Sequence, residues 1–181
     1  MEDKLHPIFS NLVISSVLEL SQDLSFPCQQ MPSDTKVAVS IDEALAAVIG
    51  YSSPEMKGSV TVISTKSLLR KSHPNLQMEM PVGEQDLEDW IGEISNQLLG
   101  RMKNKLLKFG TTLAMATPSI LMGRSLISRQ PKDGSRLSFR FESELGALAV
   151  TVDVVLSPGY VFQAKEAISS TAEKEGASIL F

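Results

Sequence analysis

Residues 85–109 constrain the fold more than any other segment, because they carry the pattern of a long amphipathic helix. Their apolar residues recur every three or four positions and form one continuous stripe, which consists of Leu87, Ile91, Ile94, Leu98, Met102 and Leu106. Acidic residues occupy the first half and basic residues the second, an order that suits the two ends of a helix dipole. Gly110 offers the left-handed conformation in which helices commonly end. The pattern therefore predicts a helix from Gln85 to Phe109 that stops at Gly110.

The rest of the chain predicts a second long helix and several short strands. Residues 8–20 have helical spacing behind Pro7, which suits a first helical turn. The apolar segment 44–52 and the β-branched segment 58–65 flank a Ser-Ser-Pro turn signal and predict a hairpin. The other expected elements are a short helix over 66–71, a loop over 76–82, a strand over 111–116 and a hairpin made by 137–141 and 148–154. Two long helices among short strands favour an α+β fold over repeated βαβ units.

Length and composition indicate one soluble domain. The 181 residues are enough for one sizeable core, and two full domains would be cramped. A net charge of −4 does not favour a nucleic-acid partner, which would call for a basic face. The single cysteine, Cys28, cannot form an intrachain disulfide and fits a reducing compartment. No signal peptide or membrane span is apparent, so a cytoplasmic protein without membrane association is expected.

A Pro-Gly break at residues 158–159 suggests a boundary near the end of the chain. We predict one domain over residues 1–156 and a C-terminal extension over 157–181. Residues 161–175 of the extension are expected either to form one more helix or to belong to a partly disordered end.

Polar residues on the long helix lie away from its apolar stripe. Asp89, Glu93, Asn96, Gly100 and Lys103 recur at helical spacing. At 100° per residue, the side chains of Glu93 and Asn96 point within about 60° of each other. Asparagine has poor helix propensity because its side chain competes for the backbone. Taken alone, the spacing is more typical of an ordinary solvated helix face than of a functional site.

The segment from Asp89 to Lys103 resembles the signature helix of the CheC, CheX and FliY phosphatases of bacterial chemotaxis. In their pattern an Asp or Ser lies four residues before a Glu, and an Asn follows three residues after it. Asp89, Glu93 and Asn96 match this order. The pattern then has a proline, and here 21 residues separate Asn96 from Pro118, one fewer than in the family. This departure implies a shortened loop before Pro118.

The resemblance extends over about residues 6–156. His6-Pro7-Ile8-Phe9 resembles the Asn-Pro-Phe start of the first helix of CheX. Lys57-Gly58-Ser59 resembles the family's hairpin turn, and residues 118–123 resemble its proline-turn-glycine element. CheC-like members carry a second Glu-x-x-Asn on the first helix, but Ile8 occupies the place of that Glu before Asn11. The resemblance implies a CheC-like α+β fold, with two long helices on an antiparallel sheet built from a degenerate internal duplication. It also implies a single site, on the second helix, as in CheX.

The function implied by the resemblance is that of a phosphatase acting on the aspartyl phosphate of a CheY-like response regulator in chemotaxis or two-component signalling. Asn96 and Glu93 would be catalytic: Asn96 would hold the attacking water, and Glu93 would pair with a lysine of the receiver. The residues expected to contact the partner are Asp89, Gly100, Lys103 and Pro118. No metal or cofactor of the chain's own is expected, and Mg²⁺ would belong to the receiver. His6 and His73 are far apart in sequence, have no acidic cluster beside them, and are each expected at the surface.

Two alternatives stay open at this point. The chain could be a non-catalytic CheX-like scaffold or binding module for a receiver, given the altered spacing before Pro118 and the C-terminal extension. It could form a homodimer by extending its sheet across subunits, as CheX relatives do, or be a monomer if the extension covers an edge strand. Unrelated enzyme classes find no support, since the sequence has no Gly-rich phosphate loop and no Gly-x-Ser-x-Gly elbow.

Overall fold

The fold is an α+β arrangement, seen in a computed structural model that describes residues 5–32, 44–123 and 135–160. In these ranges the helices are α1 (Leu5–Asp23), α2 (Lys66–Ser72), α3 (Pro74–Gln77) and α4 (Glu84–Leu106), which a 3₁₀ turn (Leu107–Phe109) follows. The strands are β1 (Gln29–Gln30), β2 (Ala44–Ser52), β3 (Met56–Thr65), β4 (Ala114–Met115), β5 (Ser119–Gly123), β6 (Ser135–Ser143) and β7 (Gly146–Leu156). The C-terminal helix predicted over 161–175 lies outside the described residues.

The described strands join one antiparallel sheet in the order β1–β6–β7–β3–β2–β4, and β5 pairs with β2 beside β4. β2 and β3 pair along the whole hairpin, from Ala44 opposite Thr65 to Ser52 opposite Lys57. β6 and β7 form the second hairpin, with Phe139 opposite Val150. The α+β class, the antiparallel sheet and both expected hairpins are therefore confirmed. The division of the chain at residues 156 and 157 stays a prediction.

α1 and α4 lie on the same face of the sheet, where their apolar sides form one core with β2, β3, β6 and β7. Two basic residues of α4 reach across to α1. Arg101 Nη2 lies 2.7 Å from Asp23 Oδ2, and Lys105 Nζ lies 2.8 Å from Glu19 Oε1. Each pair is partly exposed and contributes little stability by itself. Together the two pairs hold the second half of α4 against α1.

The first half of α4 is held by α2. Glu84 forms ion pairs with Lys66 and with Arg70, whose Nη2 lies 3.3 Å from Glu84 Oε1. Deeper in the structure, Trp90 Nε1 donates a hydrogen bond to Ser72 Oγ at 3.0 Å. Both ends of α4 are thus fixed by neighbouring helices, and its position on the sheet is well determined.

His73 packs against Trp90, with ring centroids 5.4 Å apart in an edge-to-face arrangement. Its side chain is only 9% exposed, and its Nδ1 accepts a hydrogen bond from the backbone N–H of Asn75 at 3.0 Å. The expectation of a surface histidine at this position is therefore wrong. His73 caps α3 and packs against the Trp90 indole. The contact with Trp90 depends on the tertiary fold, so the sequence around His73 did not predict it. The side chain of His6 lies outside the described residues.

Replacing Ser72 by alanine is expected to destabilise the protein, because it leaves the Trp90 indole N–H buried without an acceptor. Ser72 and Trp90 are 1% and 8% exposed. We expect the free energy of unfolding to fall by about 1–2 kcal/mol, measured by urea denaturation. The double variant Ser72→Ala, Trp90→Phe completes a mutant cycle that isolates the hydrogen bond. A coupling energy near zero would show that the bond does not stabilise α4.

The segment after α4 differs from its predicted form. Gly110 does adopt the left-handed conformation, with φ of 73°. The strand expected over 111–116 is limited to Ala114–Met115, and the stretch after Pro118 forms β5 rather than a turn. Both short strands pair with β2, Met115 lying opposite Tyr51 and Ser119 opposite Val48. Pro118 has no N–H to donate to the ladder, so the pairing is interrupted and then resumes.

Candidate functional site

α4 buries one side and exposes the other. The six residues of its predicted apolar stripe are at most 1% exposed, which confirms the helix pattern. On the opposite side, Asp89 and Glu93 are exposed, whereas Asn96, Gly100 and Lys103 are partly exposed. These five residues form one row, which we name the polar stripe (Asp89, Glu93, Asn96, Gly100 and Lys103). At 1.5 Å per residue the polar stripe is about 21 Å long.

Two glutamines hold the carboxylates of the polar stripe. Gln97 Nε2 donates a hydrogen bond to Glu93 Oε1 at 2.7 Å. Gln85 Nε2 donates to Asp89 Oδ1 at 3.2 Å in the same way. Each pair has the spacing of four residues at which helical side chains meet. Sequence reasoning missed both glutamines, although this spacing was the signal that could have identified them.

The charges of the polar stripe are not neutralised by the fold within the described ranges. Asp23, Glu19 and Glu84 each have a basic partner within 4 Å. Neither Asp89 nor Glu93 has such a partner among the residues that the structure describes. Both carboxylates are therefore free to attract a cation from another molecule.

Asn96 lies one helical turn beyond Gly92 and is partly buried. Its carboxamide makes no hydrogen bond with another described residue. A carboxamide carries two N–H donors and an acceptor oxygen, so it can bind a water or an anionic oxygen from either side. Because Asn96 and Glu93 are three residues apart, their Cβ atoms are about 5–6 Å from each other. The pair thus presents an unused amide beside an unpaired carboxylate.

Pro118 lies on the flank of α4, immediately before β5. A Cβ at Gly92 would stand 3.8 Å from Pro118 Cγ and 3.5 Å from Ile120 Cδ1. Gly92 precedes Asn96 by one turn, at about 40° around the helix. The structure therefore brings Pro118 close to the Asn96 side of the polar stripe, despite the altered spacing in the sequence.

Gly100 occupies the middle of the exposed side of α4, where no atom of the described residues beyond the local helix lies within 4 Å of the position of a Cβ. Glycine in a helix interior costs about 1 kcal/mol relative to alanine. No contact in the described structure requires it, unlike Gly58, where a Cβ would overlap the carbonyl oxygen of Asp153. Gly100 thus lowers helix stability without a role in packing.

Other chemistries have little support in the described ranges. No group of three or more His, Cys, Asp and Glu side chains lies there in an arrangement that could hold a metal ion. Burial raises the pKa of the Cys28 thiol, which disfavours the thiolate that a nucleophile would need. None of the described helices is both long enough and apolar enough to cross a membrane.

Solved structures of chemotaxis proteins share this fold. The chemotaxis protein CheX from Vibrio vulnificus is 23% identical, with a TM-score of 0.71 over 81% of this chain and 98% of that one. A CheC-like superfamily protein from Shewanella sp. PV-4 is also 23% identical, with a TM-score of 0.70 over 81% and 96%. The CheX–CheY–BeF₃–Mg²⁺ complex from Borrelia burgdorferi contains a chain that is 12% identical, with a TM-score of 0.61 over 80% and 96%.

These similarities confirm the expected CheC-like fold, while the internal duplication stays a prediction. No curated protein sequence matches the chain. The family described as "Chemotaxis phosphatase CheX" matches residues 45–142, which include most of β2, all of β3 and α4, and most of β6. Because this match spans more than half of the sequence, the chain belongs to the CheX family of chemotaxis phosphatases.

Proposed function

We propose that this protein is a phosphatase that hydrolyses the aspartyl phosphate of a CheY-like response regulator in chemotaxis or a related two-component pathway. Membership of a family of chemotaxis phosphatases supports the reaction class. The Borrelia burgdorferi structure, in which a CheX protein is bound to CheY, supports a receiver as the partner. The observation that carries the proposal is the Glu93–Asn96 pair: among the described residues, Glu93 has no cationic partner and the Asn96 carboxamide has no hydrogen bond.

The proposed mechanism assigns Asn96 to the attacking water. An acyl phosphate has a good leaving group, so its hydrolysis needs a positioned water more than a strong base. The Asn96 carboxamide can accept from the water and donate to a phosphoryl oxygen, which places the water in line with the bond that breaks. The oxygen of this water then bonds to phosphorus, the bond from phosphorus to the aspartate oxygen breaks, and the phosphate leaves with both protons of the water. The receiver's carboxylate is regenerated.

Glu93 has the second role in the proposal. Its carboxylate, oriented by Gln97, would pair with a lysine of the receiver beside the phosphoryl group. Such a contact fixes the depth and angle at which Asn96 enters. The Mg²⁺ belongs to the receiver in this scheme, and the Borrelia burgdorferi complex contains Mg²⁺ together with CheX and CheY. Asp89, Lys103 and Pro118 would widen the contact around this centre.

The test is the rate of phosphate loss from a CheY-like receiver that has been phosphorylated with a small-molecule donor. The wild-type protein should accelerate this loss at substoichiometric concentration. Binding without acceleration would instead support the scaffold function. A receiver held with beryllium fluoride, a phosphoryl mimic that is not hydrolysed, supplies the binding measurement. Absence of both binding and turnover would contradict the proposal.

The setting of the reaction is part of the same proposal. Receivers of two-component pathways act in the cytoplasm, so we place the protein there. We also propose that it forms a homodimer, which sedimentation velocity of the full chain tests directly. A monomer at all concentrations would contradict the dimer and leave the reaction unaffected.

Replacing Gly100 by alanine is expected to stabilise the protein and to weaken its binding to the receiver. Alanine gains about 1 kcal/mol in helix propensity, and its Cβ would have no described atom within 4 Å beyond the local helix. In the proposed complex the missing Cβ lets the receiver's backbone approach α4 closely, so affinity should fall several-fold. Asn104→Ala, also exposed on α4, is the control that raises helix propensity without touching the polar stripe. A Gly100→Ala protein with higher Tm and unchanged affinity would exclude this role.

A further inference from the structure

A row of apolar side chains lies along β5 beside the polar stripe. Side chains alternate along a strand, so Pro118, Ile120 and Met122 point to one face and Leu121 to the other. Ile120 and Met122 pair with Ala47 and Leu45, which belong to the core beneath α4 and are fully buried. Met122 shares this face yet is 65% exposed. We name these three residues the β5 shoulder (Pro118, Ile120 and Met122).

The direction of β5 fixes where Met122 lies. Ile120 is beside Gly92 of α4. At the other end of β5, Gly123 pairs with Ala44 of β2, which in turn pairs with Thr65 of β3. Lys66 follows Thr65 in the sequence and forms an ion pair with Glu84 at the start of α4. β5 therefore runs from the level of Gly92 toward the first turns of α4. Met122 stands on the side of Ile120 that faces Asp89, so the β5 shoulder follows the first half of the polar stripe.

We propose that the β5 shoulder is an apolar docking surface for the receiver, with Met122 as its main contact. The inference rests on the proposed function and adds Ile120 and Met122, to which that function assigned no role, to the contact at Pro118. Asn96 points toward the β5 side of the helix, about 40° from Gly92. A molecule that brings a phosphoryl group to the Asn96 amide must therefore cover the flank that Pro118 and Ile120 form. Methionine suits such a position, since its flexible side chain adapts to a partner's surface.

A second copy of the chain is the competing occupant of the β5 shoulder. A copy seated there would also cover Asn96 and exclude the receiver. The receiver is favoured because the same surface carries two carboxylates without a cationic partner, and an amide without a hydrogen bond, among the described residues. An apolar self-contact would bury these groups at a cost. A receiver with a lysine beside its phosphoryl group, and apolar residues around that pocket, matches this combination.

Leu121 provides a matched control for Met122. It is adjacent in sequence and also apolar, and it is 44% exposed. It pairs with Ala46, which is buried on the opposite face of the sheet. Variants of the two residues should perturb β5 similarly, and only variants of Met122 should affect the receiver. Thermal unfolding of both alanine variants checks that their stabilities are alike.

The experiment compares kcat and KM of wild type, Met122→Ala, Met122→Lys and Leu121→Ala on the phosphorylated receiver. We expect Met122→Ala to raise KM roughly three- to tenfold with kcat nearly unchanged, and Met122→Lys to raise it further. Leu121→Ala should match wild type. Equal effects of the Met122 and Leu121 variants, or no effect of either, would overturn the proposal.

A binding measurement separates failure of this inference from failure of the proposed function. If wild type binds the beryllium fluoride form of the receiver without hydrolysing the phosphorylated form, the phosphatase proposal fails. The β5 shoulder is then judged on affinity alone, with the same expected order of variants. If no receiver binds, both proposals fall. A change in sedimentation of Met122→Lys, with KM unaltered, would assign the β5 shoulder to a second copy and overturn the inference.

Discussion

The Asn96→Ala protein is expected to lose about a hundredfold in turnover of the phosphorylated receiver, while it binds the receiver nearly as well as wild type. The loss has this size because a single positioned hydrogen-bonding group, removed from a reaction that depends on orientation, costs about that factor. Binding is largely retained because Asn96 is partly buried and contributes little of the contact area. The measurements are single-turnover phosphate loss and affinity for the beryllium fluoride form of the receiver.

Asn104→Ala is the matched control for this variant. Asn104 is exposed on the same helix, eight residues and about 12 Å further along. Both substitutions gain the same helix propensity, so their effects on stability should cancel in the comparison. Turnover of Asn104→Ala should equal that of wild type. If Asn96→Ala turns over the receiver at the wild-type rate, Asn96 has no part in the mechanism. If both variants lose turnover equally, the loss comes from a general change in the surface of α4 and not from removal of the Asn96 amide.

Much of the fold follows from periodicity in the sequence. The stripe from Leu87 to Leu106 keeps the helical period over about five turns, and no strand-like alternation competes with it. The alternating residues of β6 and β7 give an equally clear signal. β1 could not be predicted, because its two residues are too few to show any period, and β4 was predicted only as part of a longer strand over 111–116. Each of them forms by pairing with a longer strand that is distant in the sequence, so the local sequence does not predict it.

The candidate site was predictable as a row of residues, and its surroundings were not. Helical spacing placed Glu93 and Asn96 on one exposed side, as the structure has them. The contact of Pro118 with the Gly92 side of α4 depends on how β5 pairs with β2, so it needed the structure. The same holds for the exposure of Met122, whose neighbours in sequence do not distinguish it from a core residue. The roles of all these residues stay predictions.

Removing the charge of Glu93 is expected to weaken both binding and turnover. Glu93→Gln retains the size of the side chain and abolishes the proposed pairing with the receiver's lysine. Loss of one partner's charge in a charged hydrogen-bonded contact at an interface costs about 2–3 kcal/mol, so kcat/KM should fall about thirty- to 150-fold. Affinity for the beryllium fluoride form should fall in parallel, in contrast to Asn96→Ala. Binding by wild type should also weaken as salt rises, and this dependence should be flatter for the variant.

Glu142→Gln separates a local pairing from the effect of net charge. Glu142 is exposed on β6, on the sheet face opposite the helices, and its Oε1 lies 3.2 Å from Arg140 Nη2. This control changes the net charge of the protein by the same amount as Glu93→Gln. If long-range attraction governs the encounter, the two variants should lose affinity alike. If Glu93 pairs directly with the receiver, only its variant should lose affinity, and an equal small loss in both would exclude the direct contact.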